Sequence, residues 1–281
     1  MKGGGADAGL YVYCVGRRAE LEPLLAAATS EAIETDAALE LVAAGELAAV
    51  VSRVPLSDYG EEALPARLAD ASWTATRALR HERAVEHFAR RAAVAPLRFG
   101  TIYLRRESVA RMLAERAETL GAVLARLAGR AEWGVNLYVE RGVLRGAVER
   151  VSPRLRELAG RAAESAPGQA YLLRKKIEAA RDEETRAETR RAAAEVERRL
   201  AGASDGAARL RVLKDEAGER GEVAARLAFL VSTEGFDAFR DAAESLAEEY
   251  APLGFRLELT GPWPAYNFVA TGDAEVSGSG D

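Results

Sequence analysis

Trp133, Val135, Leu137 and Val139 stand at every second position, with Gly134, Asn136 and Tyr138 between them. Side chains of a strand alternate between its two faces, so a period of two commits this stretch to one buried and one exposed face. Downstream, Leu210 and Val212 alternate with Arg209 and Arg211. Val223, Ala225, Leu227, Phe229 and Val231 share one parity, while Arg226 falls on the other. Phe236, Phe239, Ala243, Leu246 and Tyr250 stack on one face of a helix over Phe236–Tyr250. Phe255, Leu257 and Leu259 then point inward between Arg256 and Glu258. With helix between the first two strands, the order from Trp133 is strand, helix, strand, strand, helix, strand. That is the split βαβ of a ferredoxin-like sandwich, with helices packed on an antiparallel sheet.

The first half has a similar but less regular order. Leu10–Val15 is apolar on both parities, as in a strand covered on both faces. Leu47–Val54 is a second strand and Leu39–Ala44 a weaker one. Pro65–Ala92 reads as helix, with Ala78, His81, Val85, Phe88 and Ala92 on one side, and Leu97–Leu104 as strand. Glu107–Ala128 is an amphipathic helix carrying Val109, Met112, Leu113, Leu120, Val123, Leu124 and Leu127. The expected fold class is therefore α+β in two domains, each a ferredoxin-like antiparallel sheet with helices packed on it. An N-terminal α+β domain spans 10–130. A C-terminal ferredoxin-like domain spans 131–269, with a long, partly projecting helix at about 170–201. Gly142 to Pro153 reads as a turn or hairpin and a candidate boundary, followed by helix broken near Pro167-Gly168. The small, polar, glycine-rich ends, 1–9 and 270–281, read as disordered tails.

Charge narrows the partners. The 39 basic and 44 acidic residues are interspersed and leave a net charge of −5, without the basic excess of a nucleic-acid binder. The longest stretch free of charge and histidine, Leu259–Gly272, contains prolines and glycines and falls short of the roughly 20 apolar residues that cross a membrane. Met1–Gly9 has no apolar signal core, and a lone cysteine, Cys14, suits a reducing compartment. The expectation is a cytoplasmic protein that binds neither nucleic acid nor membrane.

Catalytic signatures are missing. There is no G-x-x-x-x-G-K-[ST] loop and no G-x-S-x-G elbow, and Cys14 sits inside an apolar strand. His81 and His87 are six residues apart, hence about 120° apart around a helix, and cannot share a metal. No catalytic residue, metal or cofactor is expected. His81 reads either as a core histidine or as a ligand-binding one.

Three segments invite a binding reading. Arg181–Arg199 is almost entirely polar, so it is either a solvated helix face or a projecting arm, because a helix polar all round buries no side. Arg98, between Pro96 and Gly100, is either an edge-strand arginine covering the sheet or a binding residue. In Gly261–Phe268 (GPWPAYNF), two prolines flank Trp263 and keep the chain out of a central strand. Its aromatic area suits a cap folded over a core or a protein-binding surface, and its place directly after Phe255–Leu259 favours the cap.

Four blocks in order carry a family resemblance: VEHFARRAAVAPLRFGTIY after Arg83-Ala84, EWGVNLYV at Glu132–Val139, GQAYLLRKK at Gly168–Lys176, and GPWPAYNFV from Gly261. Together they resemble the gas vesicle protein F/L family over about Leu10 to Val269. Pro96, Arg98, Phe99, Gly100 and Thr101 fit one motif, Gly168, Tyr171, Leu172 and Lys175 a second, and Gly261, Pro262, Trp263, Pro264, Tyr266 and Phe268 a third. Ala265, Asn267 and Asn136 depart from the family's usual residues. The resemblance implies a non-enzymatic accessory protein, cytoplasmic or a minor vesicle component, that nucleates or chaperones shell growth. Its partners would be the small apolar shell protein and other accessory proteins. Arg98, Phe99, Trp263, Pro264, Tyr266 and Phe268 are the candidate partner-binding residues. Two other classes compatible with the residues are a small-ligand-binding or regulatory module and an enzyme with a polar pocket around His81.

Overall fold

The computed structural model describes residues 8–28, 32–212 and 221–269. The chain forms two compact units, one of residues up to Glu132 together with those from Trp263, the other Trp133–Pro262. The segment from Trp263, assigned by chain order to the C-terminal domain, thus belongs with the first unit. Ala8 and Gly9, expected in the N-terminal tail, open the first strand. Residues 1–7 and 270–281 of the expected tails lie outside the described residues.

The first unit runs β1 (Ala8–Arg17), α1 (Arg18–Ala26), β2 (Leu39–Ala44), β3 (Leu47–Pro55), the short α2 (Leu56–Tyr59) and α3 (Leu64–Ala69), α4 (Ala71–Ala89), β4 (Val94–Pro96), β5 (Ile102–Tyr103), α5 (Arg106–Glu115) and α6 (Ala117–Leu127). Its sheet order is β2-β3-β1-β4, with β5 also on β1. The β1–β3, β1–β4 and β2–β3 pairs are antiparallel. Taking β1, α1, β2, β3, α4 and β4 in turn gives the ferredoxin-like βαββαβ order. Every residue from Gly9 to Gly16 is buried, as expected of a central strand apolar on both parities. On one face α4, whose Asp70 cap accepts from the Ser72 and Trp73 amides, buries His81, Ala84, Val85 and Phe88 against Tyr11, Tyr13, Val50 and Val54. Each large apolar side chain buried here contributes about 1.5–3 kcal/mol. A second layer is formed by α5 and α6, which pack on β2 and β3 and on β1 and β4.

Three expectations need correction here. Leu97–Leu104 is not one strand: β4 stops at Pro96, and Arg98–Thr101 makes a turn in which the Thr101 amide bonds the Arg98 carbonyl at 3.2 Å. Gly100, at φ +85°, is the cause, since a left-handed residue ends the ladder. The helix expected over Glu107–Ala128 breaks at Arg116, and that over Pro65–Ala92 divides at Asp70.

The second unit runs β6 (Arg130–Val139), α7 (Arg141–Val151), α8 (Pro153–Glu164), α9 (Pro167–Ala201), β7 (Gly206–Leu210), β8 (Glu222–Ser232), α10 (Phe236–Tyr250) and β9 (Phe255–Trp263). Its order, β7-β8-β6-β9, is again ferredoxin-like. Val135, Leu137 and Val139 meet Ala225, Leu227, Phe229 and Val231 on one face, covered by Phe239, Ala243 and Leu246 of α10. Gly142–Pro153 is helix rather than hairpin, because Leu144, Ala147 and Val148 form a buried stripe. Ser152 caps the next helix by accepting from the Leu155 amide, with Pro153 in its first turn.

The 35-residue α9 is the long helix expected at about 170–201. It buries Leu173, Ile177 and Ala180 beside α7 and α8, then Ala192, Ala193, Val196 and Leu200 on the sheet, so Arg181–Arg199 is the solvated face of a packed helix. Small side chains suffice because they let the helix approach closely. Even Glu184 is buried, accepting from Ser152 Oγ at 2.7 Å and Arg154 at 3.1 Å. Its exposed side is held helical by alanine propensity and by pairs such as Arg198–Glu195 at 2.6 Å.

Candidate functional site

Two of the candidate residues, Phe99 and Tyr266, gather around His81. Strand β1 presents Tyr11 and Tyr13 two residues apart, on the face where α4 brings His81. Tyr11 Oη lies 2.8 Å from His81 Nδ1, and His81 Nε2 lies 3.0 Å from Tyr266 Oη. Tyr266 donates onward to Glu82 at 3.1 Å, and the Gly100 amide donates to Tyr11 at 3.1 Å. A neutral imidazole with its proton on Nε2 satisfies the sequence Gly100 to Tyr11 to His81 to Tyr266 to Glu82. Rings enclose it: Tyr13 stacks on His81 at 5.8 Å, Phe99 meets it edge-on at 5.8 Å, and Tyr266 tilts over it at 6.3 Å. Beside it, Arg77 and Tyr59 both donate to Glu34, at 2.7 and 2.6 Å.

Burial sets the electrostatics. It pulls the His81 pKa down to about 4, against the smaller opposing effect of a hydrogen bond that the imidazole donates to the Leu97 carbonyl. Burial likewise pushes the Tyr11 and Tyr266 hydroxyls far above their ordinary range and raises the Glu82 carboxyl. The Cys14 thiol is driven up by burial alone, which removes it as a nucleophile near neutral pH.

This arrangement predicts acid sensitivity. The unfolded chain protonates His81 near pH 6.5 and the folded chain only near 4. Between those values the unfolded state binds more protons, so stability falls as pH falls, by roughly 3 kcal/mol across the window. Glu82 and Glu132, raised by burial, act in the opposite direction and soften the slope. Thermal scans from pH 7 to 4 should show a steeper loss in the parent than in His81→Gln, and parallel curves would refute the assignment.

The C-terminal motif divides by role. Phe268 is 8% exposed, its carbonyl takes a hydrogen bond from Arg126, and Pro264 and Ala265 are buried. Asn267 reaches buried Glu132 through its amide at 2.9 Å and its side chain at 2.6 Å. Pro264, Tyr266 and Phe268 therefore form the cap. Trp263, for which the cap was the favoured role, is 47% exposed. Arg98 is exposed at the turn before half-buried Phe99, not on an edge strand. Phe99 and Tyr266 meet at His81, with Arg98 and Trp263 close to them in sequence.

Sequence reading singled out none of Tyr11, Tyr13, Glu82 and Glu132. The two tyrosines at strand spacing were the available signal, yet their partner lies 70 residues from Tyr11.

Among the described residues no helix is long and apolar enough to cross a membrane. Nor does any group of three or more His, Cys, Asp or Glu among them offer a metal site.

Comparison with known proteins gives the family and the fold. The family model of gas vesicle synthesis protein GvpL/GvpF matches residues 9–270. Gas vesicle protein L of Streptomyces sp. (strain CB03234) is 30% identical over 236 residues, 83% of each chain. The crystal structure of GvpF from Anabaena sp. PCC7120 shares the fold with a TM-score of 0.65 at 16% identity, covering 94% of this chain and 97% of that one. GvpF from Microcystis aeruginosa gives 0.60 at 16% identity over 94% and 99%. With a family model spanning both units and a relative at 30% identity over most of both lengths, the chain belongs to the GvpL/GvpF family of gas vesicle synthesis proteins.

Proposed function

We propose that this protein is a non-enzymatic accessory factor of gas vesicle assembly, acting in the cytoplasm and at the vesicle. In this reading it binds the small apolar shell protein and other accessory proteins, and nucleates or chaperones shell growth. Family membership over residues 9–270 is the observation that carries the reading. The physical logic is that a free protein with a large apolar face aggregates, and a partner offering complementary surface keeps it available for ordered addition.

The site supports a binding role more than a chemical one. His81 is 3% exposed, neutral over the physiological range and engaged at both nitrogens, so it holds the C-terminal segment in place. The outward side of that segment offers Trp263, with Arg98 on the neighbouring turn. Tryptophan and arginine are the residue types that most often anchor protein interfaces. The proposal assigns shell-protein contact to these two exposed side chains and to half-buried Phe99. Pro264, Tyr266 and Phe268 shape that surface from beneath. Coexpression tests it: the soluble fraction of shell protein should rise in the presence of this chain, and the two should copurify.

A further inference from the structure

One motif remains without a role, the GQAYLLRKK stretch that opens α9. There α8 and α9 flank an open groove of about 630 Å³. Leu173 is buried within it, while Leu172 on the same stretch is 59% exposed and the adjoining Tyr171 57%. Lys175, Lys176 and, from α8, Arg161 also line it.

The charges at this end of α9 differ from those on the rest of the helix. Farther along, the arginines are paired: Arg181 with Glu149 at 2.7 Å, Arg198 with Glu195 at 2.6 Å, Arg191 with Glu188. At the groove, Arg174, Lys175 and Lys176 follow one another, and no ion pair joins them to a carboxylate among the described residues. The Lys175 ammonium instead lies 5.3 Å from the centre of the Tyr171 ring. Among the described residues Arg161 pairs only with Glu157, at 4.0 Å. Between Glu164 and Glu178 the sequence has no acidic residue, in a chain with 44 of them and a net charge of −5. Unpaired cations beside exposed apolar side chains form a surface of opposite sign to the protein as a whole.

We propose that the α8–α9 groove docks an acidic amphipathic helix of a protein partner. From Gln169 to Ala179 the groove follows α9 for about 15 Å, close to three turns of an incoming helix. Leucine-like side chains at i, i+3 or i+4, and i+7 of that helix would lie on Leu172 and Leu173, with flanking carboxylates on Lys175, Lys176 and Arg161. Concavity favours a helix over a lipid surface, because a ridge of side chains fills a groove that a flat bilayer spans. This goes beyond the shell-protein reading, which concerns Trp263 and Arg98 of the other unit.

The probe is a capped 14-residue peptide with leucines on one helical stripe and glutamates beside them, titrated onto the full-length protein. Controls are the same peptide with lysine for each glutamate, and vesicles of one part phosphatidylserine to three of phosphatidylcholine. The acidic peptide should bind saturably and more weakly as salt rises. The doubly charge-reversed variant Lys175→Glu/Lys176→Glu should weaken it about tenfold or more at unchanged melting temperature. Leu172→Ser gives an independent check should the reversal alter folding, with about fivefold weakening expected. Absence of saturable binding, equal affinity for the lysine peptide, or capture by vesicles alone would overturn the proposal. Shell-protein binding should be the same in these variants, so the two readings can fail separately.

Discussion

Replacing Phe268 by alanine should cost about 3–5 kcal/mol, the usual loss for a buried aromatic ring. The side chain is 8% exposed, and the Arg126 guanidinium holds its carbonyl. One residue earlier, Asn267 places two donors on Glu132. A cavity here also loosens that buried carboxylate, and a carboxylate left without partners costs a further 1–3 kcal/mol or so. Domains have only about 5–15 kcal/mol to lose, so the first unit should become marginal near physiological temperature. Urea unfolding and proteolysis would register it. A loss below about 1 kcal/mol would show that Phe268 does not seal this core.

Trp263→Ala should do the reverse. With 47% of its surface exposed, the indole has far less to lose from truncation, at most about 1.5 kcal/mol. As an anchor its loss should weaken shell-protein binding by about 2 kcal/mol or more, roughly thirtyfold in Kd. Comparing the two variants at a temperature where both remain folded separates cap from anchor within one short motif. Unchanged binding in Trp263→Ala, with the melting temperature also unchanged, would remove Trp263 from the interface and leave the proposal without its main contact.

How legible these roles were depends on where each residue's partners lie. Half-buried strands carry their pattern in the chain itself, so Trp133–Val139 and Phe255–Leu259 located the second sheet without outside help. Helix α10 was equally plain, since its large apolar residues fall on one face. Helix α7 was hidden because Gly142 and Gly146 imitate a turn, although both sit where a Cβ would meet open space. In α9 the alanines that dock on the sheet look neutral in a polar sequence; only the approach of the sheet shows that they are a face. The break between α5 and α6 at Arg116 carries no proline or glycine to announce it.

The candidate site was legible as a set of positions but not as a set of roles. Family-like blocks pointed to Arg98, Phe99 and the GPWPAYNF segment. Nothing local distinguishes Trp263 from Phe268, because both are large aromatics of one short segment rich in aromatic residues. The distinction is made by which side of the segment meets His81, and His81 is 185 residues from Tyr266 in sequence. For the same reason the C-terminal segment was grouped with its sequence neighbours rather than with the unit whose core it closes.

The central claim is that this chain acts on the shell protein by binding it, and the fraction of shell protein remaining in solution measures this most directly. Shell protein would be expressed alone, with the parent chain, and with the Trp263→Ala variant, then cleared by centrifugation and quantified. The account predicts a severalfold higher soluble fraction with the parent chain, copurification of the two proteins, and loss of most of that gain in the variant. Equal soluble fractions in all three, with no shell protein retained by the tagged parent chain, would contradict it.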